Sequence, residues 1–349
     1  MQYGHDTSVP ESLSPARIAE VARGFMSAKV LLVAAKLHLF DELRDGPLTG
    51  EQLRDRLGLH PRAIPDFVDA LVALGMLERE GNGPGARYAN TAEGARFLVR
   101  SSEDYLGGFL EMYNDRLFRF WSDLEEALRT GQPQNEVKHT GTPMFVELYR
   151  EPARLEQFMA AMSGLSRPNF QALAERFDFG PYRTLCDVGG ASAELSCAVA
   201  VRHLQLRCTS FDLPAVEPIA RAASARRGLA DRDTTAAGDI FQDPLPRADV
   251  ITMGMILHDW NLEKKKLLIR AAYEALPAGG AFIAVEHLID DERRENLFGL
   301  LVSLNMLIEF GDAFDFTGAD FRAWSSEAGF QRCTVLPLTG QSSAAIAYK

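Results

Sequence analysis

The chain has 349 residues, 46% of them hydrophobic and 24% charged, a globular composition too long for one ordinary core, so two domains are expected. Its 37 basic against 48 acidic residues leave a net charge of -11, which repels phosphate backbones and argues against nucleic acid as a partner. No apolar run approaches a membrane span, and the opening stretch with Gly4, His5 and Asp6 lacks the basic and apolar regions of a signal peptide, so a soluble, cytoplasmic protein without membrane contact is expected.

Up to about Ala174 the pattern is helical. Ile18, Val21, Phe25, Val30, Leu31, Val33, Leu37 and Phe40 form an apolar surface broader than a solvated helix needs. Such a surface predicts a homodimer. LTGEQLRDRLGL and HPRAIPDFVDALVALGML follow as short helices separated by Gly58 and Pro61, and GNGPGARYANT (81–91) is a glycine-rich turn between two short extended pieces. Three helices and a hairpin in this order predict a winged helix. That fold often binds DNA, but the recognition segment, residues 61–77, sets Arg62 against Asp66 and Asp69, so the basic footprint of a DNA reader is missing.

Residues 105–174 stay helical and carry large side chains: Phe109, Met112, Tyr113, Phe118, Phe120, Trp121, Phe145, Phe158, Met159 and Met162. Most are expected in a helical core, with some lining an apolar pocket toward the following domain.

From Tyr182 strands and helices alternate. The expected strands are TLCDV (184–188), LRCTSFDL (206–213), TTAAGDIF (234–241), ADVITMGMIL (248–257), AFIAVEHL (281–288), RCTVLPL (332–338) and AAIAYK (344–349). Helical stretches between them predict an α/β fold: a Rossmann-like, doubly wound parallel sheet with ligands at the carboxyl ends of its strands. The three lysines 264–266 lie in one of these helices and read as a solvated face. Cys186, Cys197, Cys208 and Cys333 form no CxxC pair and read as reduced core thiols, so no metal site is expected.

Acidic residues recur at the strand ends. Asp187 ends the first strand beside Gly189 and Gly190, Asp212 ends the second, and Asp239 follows Gly238 at the end of the third. A carboxylate accepts two ribose hydroxyls well, and another can take an adenine amino group. One such acid is commonly a helix cap, whereas three beside a Gly-Gly turn favour nucleoside binding. In DVGGASAEL, Ala191 and Ala193 stand where a dinucleotide loop wants glycine. Phosphates press on such a backbone, but S-adenosylmethionine (SAM) has none, so the alanines argue against NAD more than against SAM. They should be tolerated provided that neither requires a positive φ.

The stretch GMILHDWNLEKKKLLIRAAYEALPAGGAFIAVEHLIDD, preceded by DVGG, FDLP and GDIF, resembles the SAM-dependent O-methyltransferases of plant and bacterial secondary metabolism, including caffeate, hydroxyindole and polyketide-tailoring enzymes. The resemblance covers nearly the whole chain and implies a winged-helix dimerisation domain at 1–104, a helical linker contributing to the substrate pocket at 105–174 and a SAM-binding domain at 175–349. It implies that His258 of HDW is the catalytic base with Asp259 beside it, that Glu286 of VEH orients the histidine, and that Asp315 stands where many relatives carry a second glutamate. Asp187, Gly189, Gly190, Asp212, Leu213, Asp239 and Ile240 match cofactor contacts. MSGLS (162–166) resembles the segment in which a methionine, Met162, clamps the acceptor ring and a serine, Ser166, approaches SAM; Phe158, Met159, Met306 and Asp259 complete the implied substrate pocket. At Gly254 many plant members carry a lysine that helps to hold adenine, a contact this chain lacks.

The chemistry is coherent with these residues. A phenol has a pKa of about 10 and a free imidazole about 6.5, so unassisted proton transfer is uphill. A carboxylate at Glu286 can fix the imidazole tautomer and stabilise imidazolium, leaving a phenolate to attack the methyl group in line. By itself the histidine of HDW reads better as a satisfied strand-end histidine with Asp259 or Asn261 as a helix cap, but with Glu286, Asp315 and the acids at the strand ends beside it the catalytic reading is favoured. Three functions stay open: an O-methyltransferase acting on a phenol or enol of a small aromatic natural product, a SAM-binding enzyme that does not transfer methyl, and a winged-helix regulator or binding protein.

Overall fold

The computed structural model describes residues 14–102, 104–142, 148 and 152–349; Phe145 and the opening Gly4, His5 and Asp6 lie outside them. The chain divides into two compact units between Asn114 and Asp115.

In the first unit, helix Ala16–Lys36 is followed by a left-handed turn at His38 and the short helix Leu39–Glu42. Helices Gly50–Leu57 and Ile64–Ala73 come next, the former started by a capping box in which Thr49 and Gln52 satisfy each other's backbone N–H. Strands β1 (Leu48–Thr49), β2 (Leu77–Glu80) and β3 (Arg87–Asn90) form an antiparallel sheet in the order β1-β3-β2. This is the helix–helix–hairpin order of a winged helix. Leu39, Phe40, Leu53, Val68 and Leu71 close its core completely. The first helix keeps an apolar face out of that core: Ile18 and Val21 are 75% exposed, Phe25 57% and Met26 54%.

The second unit is built on seven strands: β4 (Thr184–Val188), β5 (Arg207–Asp212), β6 (Asp233–Ala237), β7 (Val250–Gly254), β8 (Ala281–Glu286), β9 (Arg332–Pro337) and β10 (Ser343–Tyr348). Their order is β6-β5-β4-β7-β8-β10-β9. The expectation of a parallel sheet needs one correction, because β10 runs antiparallel to both β8 and β9. Only residues 338–342 join β9 to β10, enough for a hairpin and too few for a crossover. Two strands end well short of the expected residue: β6 stops at Ala237, before the turn at Gly238 and Asp239, and β7 stops at Gly254, with Met255 bending the chain at φ 58°.

Central strands are apolar on both faces, as a sheet covered by helices on both sides requires. In β8, Ala281, Ile283 and Val285 join one core, whereas Phe282 and Ala284 join the other. The alternation carries the next residue, Glu286, to the second face.

Candidate active site

The parallel register aligns the carboxyl ends of β4, β5, β6, β7 and β8 along one edge, with Val188 beside Phe211, Asp212 beside Ala237 and Gly254 beside Val285. The strand order reverses at β4, which puts the edge at the switch point of a doubly wound sheet. Nearly all the residues singled out from the sequence gather there.

The loop from β4 to helix Glu194–Arg202 is sterically tight. A side chain at Gly189, which has φ 69°, would come within 2.3 Å of the Ile256 side chain, and one at Gly190 within 2.2 Å of Ser210 Oγ. The alanines do not meet the proviso under which they should be tolerated: Ala191 has φ 48° and Ala193 φ 58°. Both hold the left-handed conformation in which Cβ crowds the following carbonyl. Ala193 is the N-cap of helix Glu194–Arg202, and its N–H donates to the Gly190 carbonyl at 2.7 Å.

Asp212 braces this loop, accepting from the Ala191 N–H at 2.8 Å and from the Leu213 N–H at 2.7 Å. Burial raises its pKa and these two bonds oppose the rise. Each oxygen keeps a lone pair for a further donor, which is what a ribose diol needs. Asp187 is buried beneath the loop, accepts from Thr252 Oγ1 at 2.8 Å and is pushed up to about 7 by burial. Asp239 differs: one oxygen caps the Phe241 N–H at 2.9 Å and the other takes the Gln242 side chain at 3.1 Å, so it shapes a turn. Ile240 packs on the core beside it.

Helix Pro152–Arg176 carries the linker residues. Phe158 and Met159 pack with Ala191, Leu213 and Val216, placing them over the glycine loop. Met162 and Ser166 are half-buried further along the helix. Ser163, which sequence reasoning passed over, donates to the Met159 carbonyl at 2.8 Å and meets the loop through Ser192 Oγ. At Gly254 a Cβ would lie 2.8 Å from the Phe170 ring, so no side chain fits there unless this phenylalanine shifts.

After Met255 the chain forms a short turn, Leu257–Asp259, that buries His258. Its Nε2 lies 3.2 Å from Asp259 Oδ1, and its Nδ1 lies 3.4 Å from Glu286 Oε2 and 3.5 Å from Asp315 Oδ1. The other Glu286 oxygen accepts the Leu257 N–H at 2.9 Å, locking the turn to the end of β8. His258 Nδ1, Glu286 Oε2 and both Asp315 oxygens are buried and form no hydrogen bond among the described residues. Burial alone would hold the imidazole neutral, but Glu286 and Asp259 outweigh it and raise its pKa well above the usual value. Burial pushes Glu286 up to about 7 against the pull of His258. Met306 is buried on helix Leu297–Phe310, which packs on this turn. Asn261 is the N-cap of helix Leu262–Ala275, accepting from the Lys264 N–H at 3.1 Å, so the capping role falls to it and not to Asp259.

The lysine run also needs correcting. Lys265 is fully buried. It lies three and four residues before Leu268 and Ile269, on the face that carries Ala272 into the core, a periodicity that three adjacent charges concealed. His258, Glu286 and Asp315 present atoms within 4.8 Å of one another, so two carboxyl groups crowd one buried imidazole. The chain supplies a cation of its own close by, in the Lys265 ammonium, which interacts electrostatically with Glu286, Asp315 and Asp259.

The loop suits a nucleoside without phosphate. Asp212 offers free lone pairs, and the backbone beside it is crowded by two methyl-bearing left-handed residues. Comparisons with known proteins agree. Residues 121–331 match the O-methyltransferase domain and residues 19–100 the O-methyltransferase dimerisation domain. The chain is 37% identical over 335 residues to the tetracenomycin polyketide synthesis 8-O-methyl transferase of Streptomyces glaucescens, covering 96% of this chain and 97% of that one. It is 35% identical to the N,N-dimethyltransferase OxyT of Streptomyces rimosus over 90% of both. The structure of human N-acetylserotonin methyltransferase in complex with SAM superposes with a TM-score of 0.89 at 27% identity, covering 98% of this chain and 99% of that one.

Proposed function

The chain belongs to the O-methyltransferase family, and from that premise we propose that it methylates a phenolic or enolic hydroxyl of a small aromatic, polyketide-type metabolite in the cytoplasm, with His258 as general base. It is a SAM-dependent methyltransferase carrying the family's dimerisation domain. Bound SAM supplies an electrophilic methyl group on a sulfonium. In this reading Gly189, Gly190, Asp212 and Leu213 hold its nucleoside, with Asp187 supporting the loop from below and Asp239 and Ile240 bordering the adenine. Ser166 approaches its methionine end. Phe158, Met159, Met162 and Met306 exclude water, and residues 105–174 link the dimerisation domain to the catalytic one.

One contact supports the reading most directly. Ile256, two residues before His258, closes against Gly189, so the cofactor loop and the base are braced on each other. His258 Nε2 accepts the acceptor's proton where Asp259 now lies, and Glu286 and Asp315 stabilise the imidazolium from Nδ1. Raising the imidazole pKa narrows the gap to a phenol of about 10, which makes the proton transfer less uphill. The exposed face of Ile18, Val21, Phe25 and Met26 supports assembly as a homodimer.

A second reading, an amine acceptor, is favoured by the likeness to an N,N-dimethyltransferase. Incubation with methyl-labelled SAM and a panel of phenols, enols and aromatic amines, read by mass spectrometry, decides between them. A labelled methyl ether supports the proposal, and labelled amines alone overturn the oxygen acceptor. Bound SAM without any labelled product overturns methyl transfer.

A further inference from the structure

The Lys265 side chain is fully buried, on the inner face of helix Leu262–Ala275. Its Nζ donates to the Trp260 carbonyl, the first residue after the Leu257–Asp259 turn. It sits 3.9 Å from the Phe314 ring centre and 5.9 Å from that of Phe316, the residues that flank Asp315. Among the described residues it makes no ion pair. An ammonium taken out of water in this way is unfavourable unless nearby negative charge compensates it.

That charge is present. Glu286 from β8, Asp315 from the segment before helix Gly318–Ala328, Asp259 from the turn and Asp312 all stabilise the ammonium. Burial nevertheless lowers its pKa to about 8. We propose that Lys265 is a positioning residue for catalysis: its ammonium holds the Trp260 end of the turn and offsets the carboxylates around His258, keeping the imidazole able to accept a proton. The inference rests on His258 being the general base.

The other groups around His258 do not supply this counter-charge. His287, next to Glu286, is lowered to about 4 by burial and by His258, so it is neutral where the enzyme works. Helix Leu297–Phe310 also packs on the turn, but its one titratable residue, Glu309, is tied to Arg116 at 3.1 Å and to Asn135 at 2.9 Å. Three carboxylates around one imidazole would hold it protonated too far into the alkaline range to act as a base, and a buried positive charge opposes this.

The test reads His258 directly and needs no acceptor. In the full chain with isotope-labelled histidine, the His258 ring resonance is identified by its loss in His258→Gln and titrated by NMR in the wild type and in Lys265→Met. The account expects the His258 midpoint to move up by about one pH unit in Lys265→Met, the effect of removing one unit charge at close range. With an acceptor in hand, the ascending limb of kcat/KM against pH should move the same way, a shift that mere loss of packing would not produce. Should Lys265→Met not fold, Lys265→Gln serves, and the Lys265 Cε resonance of the wild type gives a separate reading: a midpoint near about 8 supports the proposal, and one below about 6 overturns it, because the group would be neutral at working pH. An unchanged His258 midpoint in a folded variant also overturns it. If His258→Ala instead retains full activity, the base assignment fails, and the NMR shift still reports whether Lys265 sets the field around the ring.

Discussion

Replacing Ala191 by glycine should stabilise the protein, although it removes a side chain. Ala191 is held at φ 48°, where an L-residue crowds its own following carbonyl. The left-handed region costs a non-glycine residue about 1–2 kcal/mol. Glycine removes that strain but loses about 0.5–1 kcal/mol through the greater freedom of the unfolded chain. Ala191 is half-buried, so its methyl contributes little packing, and the balance is a gain of about 0.5–1 kcal/mol. Ala193 gives a control, because it shares the conformation at φ 58° but is completely buried in the core that includes Leu195 and Val199. Losing that methyl costs about 0.8 kcal/mol, so Ala193→Gly should come out near neutral. Urea denaturation of wild type and both variants, compared at constant m-value, measures the difference. A loss of more than about 1 kcal/mol in Ala191→Gly would show that the loop is not left-handed at this residue in the native state and would refute the strain argument.

Asp212→Ala should weaken SAM binding by about 1.5–3 kcal/mol, because it removes a charged acceptor and leaves the Ala191 and Leu213 N–H groups without theirs; calorimetry with SAM and S-adenosylhomocysteine measures it, and unchanged affinity would remove Asp212 from the ribose site. For Asp187, burial raises the folded pKa to about 7 from an ordinary 3.8, so its contribution is fully present below about pH 4 and is lost as pH rises to about 7. Asp187→Asn, which does not ionise, should therefore gain on the wild type between about pH 4 and pH 7, and denaturation midpoints at pH 5 and pH 8 that move in parallel would contradict this. Phe25→Arg should dissociate the homodimer by putting a charge on the exposed face of helix Ala16–Lys36, and an unchanged sedimentation coefficient at micromolar concentration would exclude that face as the interface.

The central strands of the second unit were legible because they are short apolar runs between turn residues, and the whole of β4 coincides with TLCDV. The acids at the strand ends were legible as a group, yet their partners were not. Asp212 binds the loop backbone and Asp239 its own turn, and nothing in the letters distinguishes the two. The antiparallel β10 was legible but missed, because the expected strands at 332–338 and 344–349 leave only residues 339–343 between them, too few for a crossover to a parallel strand. The positive φ of Ala191 and Ala193 was hidden because glycine announces a left-handed residue, whereas alanine adopts it only when the surrounding fold imposes it. Lys265 was masked by its neighbours, since Lys264 and Lys266 lie toward solvent and only the phase of Leu268, Ile269 and Ala272 marks the middle lysine as inward. His258, Glu286 and Asp315 come from three separate elements, and only the resemblance to the O-methyltransferases drew them together before the fold did.

Comparing His258→Ala with wild type tests the central claim most directly, using methyl-labelled SAM and an acceptor that the wild type methylates, between about pH 6 and pH 9. If His258 is the general base, turnover falls by roughly 10² to 10⁴ while SAM affinity stays within twofold of wild type, the span expected for removing a positioned base. A variant that methylates at the wild-type rate across that range would contradict the account and leave positioning alone to explain catalysis.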